Sequence, residues 1–339
     1  MERVVGPGAE RPVGAVTDSR SRDVKERNCI AVASRSFSRH PVLRDALKAR
    51  YQTITFNDAG RSLAGQDLIE FLRGHDKAIT ALERLDDAVF GALPELRVVS
   101  KYGVGLDMID LQAMDSAGVK LGWTSGVNRR SVAELTISAA IALLHRVPVA
   151  RRELLQGHWR QTAGRQLTGR VVGIVGCGHV GKDVAVLARA FGCRVLAHDI
   201  RDFPEFYRAH GVEPVDLTTL LRESDVVTIH LPFDDSTRML IDADRLALMR
   251  ADAVFINMAR GGIVDERTLH GRLRDGQLAG AAIDVFETEP PENSDLLDLQ
   301  NVIATPHIGG STEEAILAMG FAAITGLETA RLPREHGLL

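Results

Sequence analysis

The stretch Val171-Val172-Gly173-Ile174-Val175-Gly176-Cys177-Gly178-His179-Val180-Gly181-Lys182 decides the fold of this chain. Its first five residues are apolar and mostly β-branched, as in a strand buried on both faces of a parallel sheet. Glycines at 176, 178 and 181 close the run, and from Asp183 to Phe191 apolar residues recur with helical period. A strand turning through Gly-x-Gly-x-x-Gly into a helix aims unpaired backbone N–H groups at an anion. In this reading Gly176 permits the tight turn, Gly178 the close approach of a pyrophosphate, and Gly181 the packing of helix on strand. His179 and Val180 lie inside the same anion-binding loop.

A second strand, Arg194 to His198, follows the helix and ends in Asp199. That is close to the spacing of about 20 residues expected for the acid that binds an adenosine ribose. A carboxylate suits the free 2′- and 3′-hydroxyls of NAD and repels the 2′-phosphate of NADP. Arg201 is near enough to soften that repulsion, yet the balance favours NAD as cofactor.

Outward from this core, strands and helices alternate. Upstream, Cys29–Ala33, Tyr51–Thr55, Ala78–Thr80 and Leu96–Ser100 read as strands, and Pro41–Arg50 and Gln66–Arg73 as helices. Downstream strands are expected at 225–230, 253–257, 279–283 and 302–305, with a last helix over 311–330. Ser131–Leu155 is the longest helical pattern, with Ser131 and Glu134 spaced as a capping box. It is long and largely apolar, which places it at a domain boundary or a subunit interface. Alternation of this kind means α/β architecture, parallel sheets with helices on their faces.

With 339 residues the chain has room for two domains. A net charge of −4 gives no electrostatic case for a nucleic-acid partner. Cys29, Cys177 and Cys193 make no metal-ligand spacing, so no metal is expected, and they suit a reducing compartment. No apolar run is long and charge-free enough to span a membrane. Residues 1–27 lack an apolar signal core and read as a mobile extension, with the cytoplasm as default location.

In open parallel sheets, ligands bind outside the carboxyl ends of the strands. His230, Met258-Ala259-Arg260, Asp284 and His307 all follow predicted strand ends, which makes them site candidates. The surrounding runs are Asn257-Met258-Ala259-Arg260-Gly261, Leu278 to Phe286, Glu289-Pro290 and Thr305-Pro306-His307-Ile308-Gly309-Gly310-Ser311-Thr312. Tyr102-Gly103-Val104-Gly105-Leu106-Asp107 and Asn128 to Leu135 lie upstream. Together these closely resemble the D-isomer-specific 2-hydroxyacid dehydrogenases, over nearly everything from Cys29 to Glu328.

The resemblance implies a Rossmann-type NAD-binding domain, 128–307, inserted in a flavodoxin-like substrate domain, 28–127 with 308–339. Within the family the pattern is similar to phosphoglycerate dehydrogenase, in a short form with no regulatory domain. The resemblance makes Arg260 the substrate-binding arginine, His307 the acid/base and Glu289 its carboxylate partner, with Glu287 as the nearby rival. It puts Asp284 on the carboxamide side of the nicotinamide and His230 near the cofactor, and assigns Met258, Ala259, Gly309 and Gly310 to the same site. Backbone N–H groups of Val104 and Gly105 would cap the substrate carboxylate.

The chemistry agrees with these roles. A guanidinium binds a planar carboxylate bidentately. Histidine supplies the proton that the carbonyl oxygen takes when hydride reaches its carbon. Lys101 stands where it would bind a second anionic group of the substrate or lie in a solvent-exposed salt bridge, and Arg130 is a candidate for the same cleft. The resemblance implies as partners a small 2-oxo or 2-hydroxy acid and a second copy of the chain in a homodimer. Alternatives are a relative that oxidises phosphite or formate and an NAD-sensing, corepressor-like binding protein.

Overall fold

The computed structural model describes residues 28–292 and 295–339, so the predicted mobile extension lies outside the described residues. The strands are β1 (Cys29–Val32), β2 (Thr53–Phe56), β3 (Lys77–Thr80), β4 (Val98–Lys101), β5 (Lys120–Gly122), β6 (Val171–Val175), β7 (Arg194–His198), β8 (Val212–Pro214), β9 (Val226–Ile229), β10 (Val254–Asn257), β11 (Gly280–Ile283) and β12 (Val302–Ala304). They form a five-stranded sheet of order β2-β1-β3-β4-β5 and a seven-stranded sheet of order β12-β11-β10-β9-β6-β7-β8. Neighbouring strands within each sheet pair in parallel.

The first order is flavodoxin-like. The second is the doubly wound nucleotide-binding order with one strand added at an edge, and its switch point falls between β6 and β9. The sequence explains the inner strands: every residue of β9, β10 and β11 is buried, as expected for strands covered on both faces. The main surprises are the short strands β5 and β8 and several short helices, which are too brief to set up a period.

The predicted single helix over Ser131–Leu155 is corrected to two, Arg129–Leu144 and Val147–Leu155, bent 59° from one another. Arg146 takes the left-handed conformation, with φ 58 and ψ 30, at the join. Pro148 has no N–H to donate back and so begins a helix rather than continuing one. The predicted capping box is also absent. Asn128 is the N-cap, and Ser131 sits inside the first turn, where its Oγ donates to Gly309 O at 2.5 Å. The first helix is largely buried and packs on β10, β11 and the His179–Ala190 helix. The second buries none of its residues.

The last helix, Glu313–Thr329, is capped by Thr312, whose Oγ1 accepts from Ala315 N at 3.2 Å. It packs against β3, β4 and β5, and Leu121 N then donates to Arg331 O at 2.7 Å. The end of the described chain thus returns to the first sheet. Among the described residues no single helix is long and apolar enough to cross a membrane, and no group of three or more metal-ligating side chains is assembled.

Candidate active site

The glycine loop follows β6 at the switch point. Gly176 has φ 94, and a Cβ there would come within 2.5 Å of His230 O. A Cβ at Gly181 would overlap Gly176 O, so the helix can approach the end of β6 this closely only because residue 181 is glycine. Gly178 differs: apart from its own chain neighbours, no atom of the described residues lies within 4 Å of the place its Cβ would take. That side of the loop is open, as the approach of a pyrophosphate requires.

His179 opens the helix, and its Nε2 lies 3.1 Å from Ser125 Oγ. Its ring covers Gly126, where a Cβ would stand 2.5 Å from the imidazole Cγ. Val180 is half-buried against the core below. Asp199 directly follows β7 as expected, and its carboxylate makes contacts that spacing did not reveal. Its Oδ2 accepts from Cys177 N at 2.7 Å and its Oδ1 from Arg201 N at 2.8 Å, so the acid also ties down the glycine loop. Burial pushes the Cys177 thiol up to about 11, which keeps it neutral inside that loop.

His230 follows β9, and burial holds its imidazole down at about 3. It is neutral at ordinary pH, with Nε2 2.9 Å from Thr228 Oγ1. A ring so held cannot serve as the acid of the site.

Three adjacent strands, β10, β11 and β12, end beside one another and carry the remaining candidates. After β10, Asn257 holds the turn: its Nδ2 donates to Arg260 O at 2.9 Å and its Oδ1 accepts from Ala259 N at 3.1 Å. Met258 and Ala259 are buried, and Arg260 emerges. The Arg260 Nε donates to Asp107 Oδ2 at 2.9 Å and its Nη1 to Ala259 O at 2.6 Å. The guanidinium lies on Gly105, where a Cβ would overlap Nη2. Beside Gly105, Val104 O accepts from Trp123 Nε1 at 2.9 Å. A Cβ at Gly261 would likewise overlap the Phe286 backbone, so the Arg260 loop rests directly on the loop after β11.

That second loop brings Glu289 to His307. Glu289 Oε2 lies 2.8 Å from His307 Nδ1, and its Oε1 accepts from Phe286 N at 3.1 Å. Glu287, the rival, has its N–H held by Glu266 Oε1 at 2.8 Å, and Glu289 is the carboxylate that meets the histidine. His307 has φ 54, a strained value for a residue with a side chain.

Asp284 imposes that turn. Its carboxylate accepts from Thr305 Oγ1 at 2.6 Å, Ile308 N at 2.8 Å and Gly309 N at 2.7 Å, and its backbone O accepts from His307 N at 2.8 Å. Buried Asp284 therefore organises the histidine loop, a task its position in the sequence did not show. Gly309 is tied onward by Ser131, and a Cβ at Gly310 would meet Asn128 Nδ2 at 2.6 Å.

Lys101 ends β4. It is buried, and its Nζ donates to the carbonyl of Ala81. Burial lowers its ammonium to about 8, opposed by the facing carboxylates of Glu83 and Asp107, with Arg260 adding to the lowering. Glu83 was not a candidate from sequence. It is buried, and its Oε2 accepts from Ala81 N at 2.6 Å. Arg130 does not reach this cluster as a free charge, because its Nε stands 3.4 Å from Asp183 Oδ2.

Residues 137–309 match the sequence model of the D-isomer specific 2-hydroxyacid dehydrogenase, NAD binding domain. The chain belongs to the D-isomer specific 2-hydroxyacid dehydrogenase family. This is a family of NAD-dependent oxidoreductases acting on CH–OH donors, and NAD is its cofactor. D-3-phosphoglycerate dehydrogenase of Methanocaldococcus jannaschii is 34% identical over 284 residues, which cover 83% of this chain and 54% of that protein. The chain thus spans about half the length of that relative. Hydroxypyruvate reductase of Thermotoga maritima is 38% identical over 238 residues, 68% of this chain and 76% of that protein. The solved glyoxylate reductase of Paecilomyes thermophila superposes with a TM-score of 0.79 at 26% identity, covering 89% of this chain and 94% of that one. The glycine loop fits the family's cofactor on its own geometry, since the empty volume over Gly178 faces a helix N-terminus.

Proposed function

We propose that the protein catalyses reversible interconversion of a 2-oxo acid and its D-2-hydroxy acid. One observation carries this reading: His307, its partner Glu289 and Arg260 follow the ends of three strands in a row, β12, β11 and β10. Bound NAD would supply or take up the hydride, held by the loop of Gly176, Gly178, His179, Val180 and Gly181 and by Asp199 at the ribose. The chain's own residues do the rest. Arg260 binds the substrate carboxylate as a charge-assisted pair, with the backbone of Val104 and Gly105 beside it. Glu289 engages His307 Nδ1, which leaves Nε2 to hold the proton that the substrate oxygen gains or loses. Asp284 and Ser131 keep the histidine loop in place, and Met258, Ala259, Gly309 and Gly310 form the walls.

The Lys101 ammonium already meets Ala81 O and faces two carboxylates. This supports a substrate with a single carboxylate and a small uncharged remainder, the class of glyoxylate and hydroxypyruvate. The test is NADH oxidation across glyoxylate, pyruvate, hydroxypyruvate, 3-phosphohydroxypyruvate and phosphonopyruvate, with phosphite and formate tried as reductants of NAD. Preference for the first three supports the reading. Preference for the doubly anionic acids would assign Lys101 to the second anion, and turnover of phosphite or formate alone would overturn the reading.

The same reading includes a homodimer. On and after the Val147–Leu155 helix, Leu154 is 56%, Leu155 70% and Trp159 82% exposed, an apolar surface of the kind that copies of a chain bury together. Sedimentation of the wild type and of L155E/W159E tests it: a dimer that the substitutions turn into a monomer is expected, and a monomeric wild type would remove it.

A further inference from the structure

Arg260 is aimed before any substrate arrives, and the residue that aims it comes from the other sheet. A guanidinium has five N–H donors. Here Nε is engaged by Asp107 Oδ2 and one Nη1 hydrogen by Ala259 O, and Nη2 donates to no protein atom among the described residues. The remaining donors, on Nη1 and Nη2, form the end-on edge of the fork. Nη2 lies over Gly105, where any Cβ would collide with it.

Asp107 sits on the loop after β4 of the first sheet and Arg260 on the loop after β10 of the second, so the pair joins loops of the two sheets. The two side chains are 28% and 30% exposed. An ion pair this solvated is weak as a source of stability, so what it gives Arg260 is direction. Lys101 is close enough for the Asp107 carboxylate to act on its ammonium, so Asp107 feels a second cation besides Arg260.

We propose that Asp107 is a positioning residue: by engaging Arg260 Nε it presents the Nη1–Nη2 edge over Gly105 as the one that receives the substrate carboxylate. The inference rests on the functional reading above, in which Arg260 binds that carboxylate. A long side chain free to rotate would have to be ordered on each binding event, whereas a preset fork binds with less loss of freedom.

The experiment compares wild type, D107A and D107N with glyoxylate and hydroxypyruvate as substrates. D107A is expected to raise the KM for the oxo acid about tenfold while changing kcat by less than about threefold and leaving NADH affinity as it was. D107N keeps an oxygen acceptor in place and is expected to recover most of that loss. Arg260 labelling by phenylglyoxal, followed by mass spectrometry, is expected to run several-fold faster in D107A than in wild type or D107N. A KM that is unchanged or falls in D107A overturns the proposal, a fall meaning that Asp107 competes with the substrate. Equal loss of NADH affinity in both variants would make the role structural. If the wild type reduces no oxo acid, the functional reading fails, and the labelling rates still decide whether Asp107 sets Arg260.

Discussion

Glu289 Oε2 stands 2.8 Å from His307 Nδ1, and the same carboxylate is held from behind by Phe286 N–H at 3.1 Å. An ionised glutamate in that place accepts from Nδ1–H and orients the ring, which in the proposed reaction leaves Nε2 to exchange the proton. H307A is expected to lower kcat by roughly 10²- to 10⁴-fold, the usual span for a general acid. E289Q keeps the hydrogen bond and loses the charge, so its loss should be smaller. NADH binding, followed by fluorescence titration, should be intact in both. Normal turnover by H307A would remove the histidine from the chemistry.

Arg260 and the oxo-acid carboxylate give the second expectation. R260K keeps the charge and loses the planar fork, and with it the bonds to Asp107 and Ala259. The KM for the oxo acid should rise by about tenfold or more, on the order of 1.4 kcal/mol of lost binding. Steady-state kinetics at saturating NADH measures this. An unchanged KM would move the carboxylate anchor elsewhere.

Much of this was legible in the sequence, and what escaped has a common physical origin. The glycine loop, Asp199 and the residues after β10, β11 and β12 could be read because strand ends and glycine spacing are local signals. The helix break at Arg146 was hidden because Pro148 suits a first turn as well as it stops a helix, and the apolar pattern ran across it. The long-range contacts of Asp284 and Asp107 could not be read at all. Asp284 acts on residues 21 to 25 positions away and Asp107 on one 153 positions away, and no periodicity connects such pairs. Ser131 misled for the same reason: its partner is Gly309 O, not its own helix.

Gly178 and Gly181 should separate cofactor binding from folding. G178A adds a methyl to open space, so stability should change by less than about 0.5 kcal/mol. NADH affinity should nonetheless fall clearly, because that space is where a pyrophosphate would lie. G181A drives a methyl into Gly176 O and should cost about 1–3 kcal/mol of stability. Thermal melts and NADH titrations on the two variants decide this. A G178A protein that binds NADH as the wild type does would move the phosphate site away from the loop.

His230 predicts how the fold responds to acid. Burial holds its imidazole at about 3, against 6.5 for an ordinary histidine. The folded-state value is depressed, so no stability is at stake above about pH 6.5, where both states are neutral. As pH falls from there towards 3, the unfolded chain binds a proton that the folded chain refuses. Stability should therefore drop by up to about 1.4 kcal/mol per pH unit in that window from this residue alone. Replacing the ring by a group that does not titrate should flatten the slope. In H230Q the midpoint of urea unfolding should be lower than wild type at pH 7, where the Thr228 contact and ring packing are lost, and should then fall less steeply between pH 6 and pH 4. Parallel slopes for the two proteins would mean that the imidazole is protonated inside the fold and that burial does not control it.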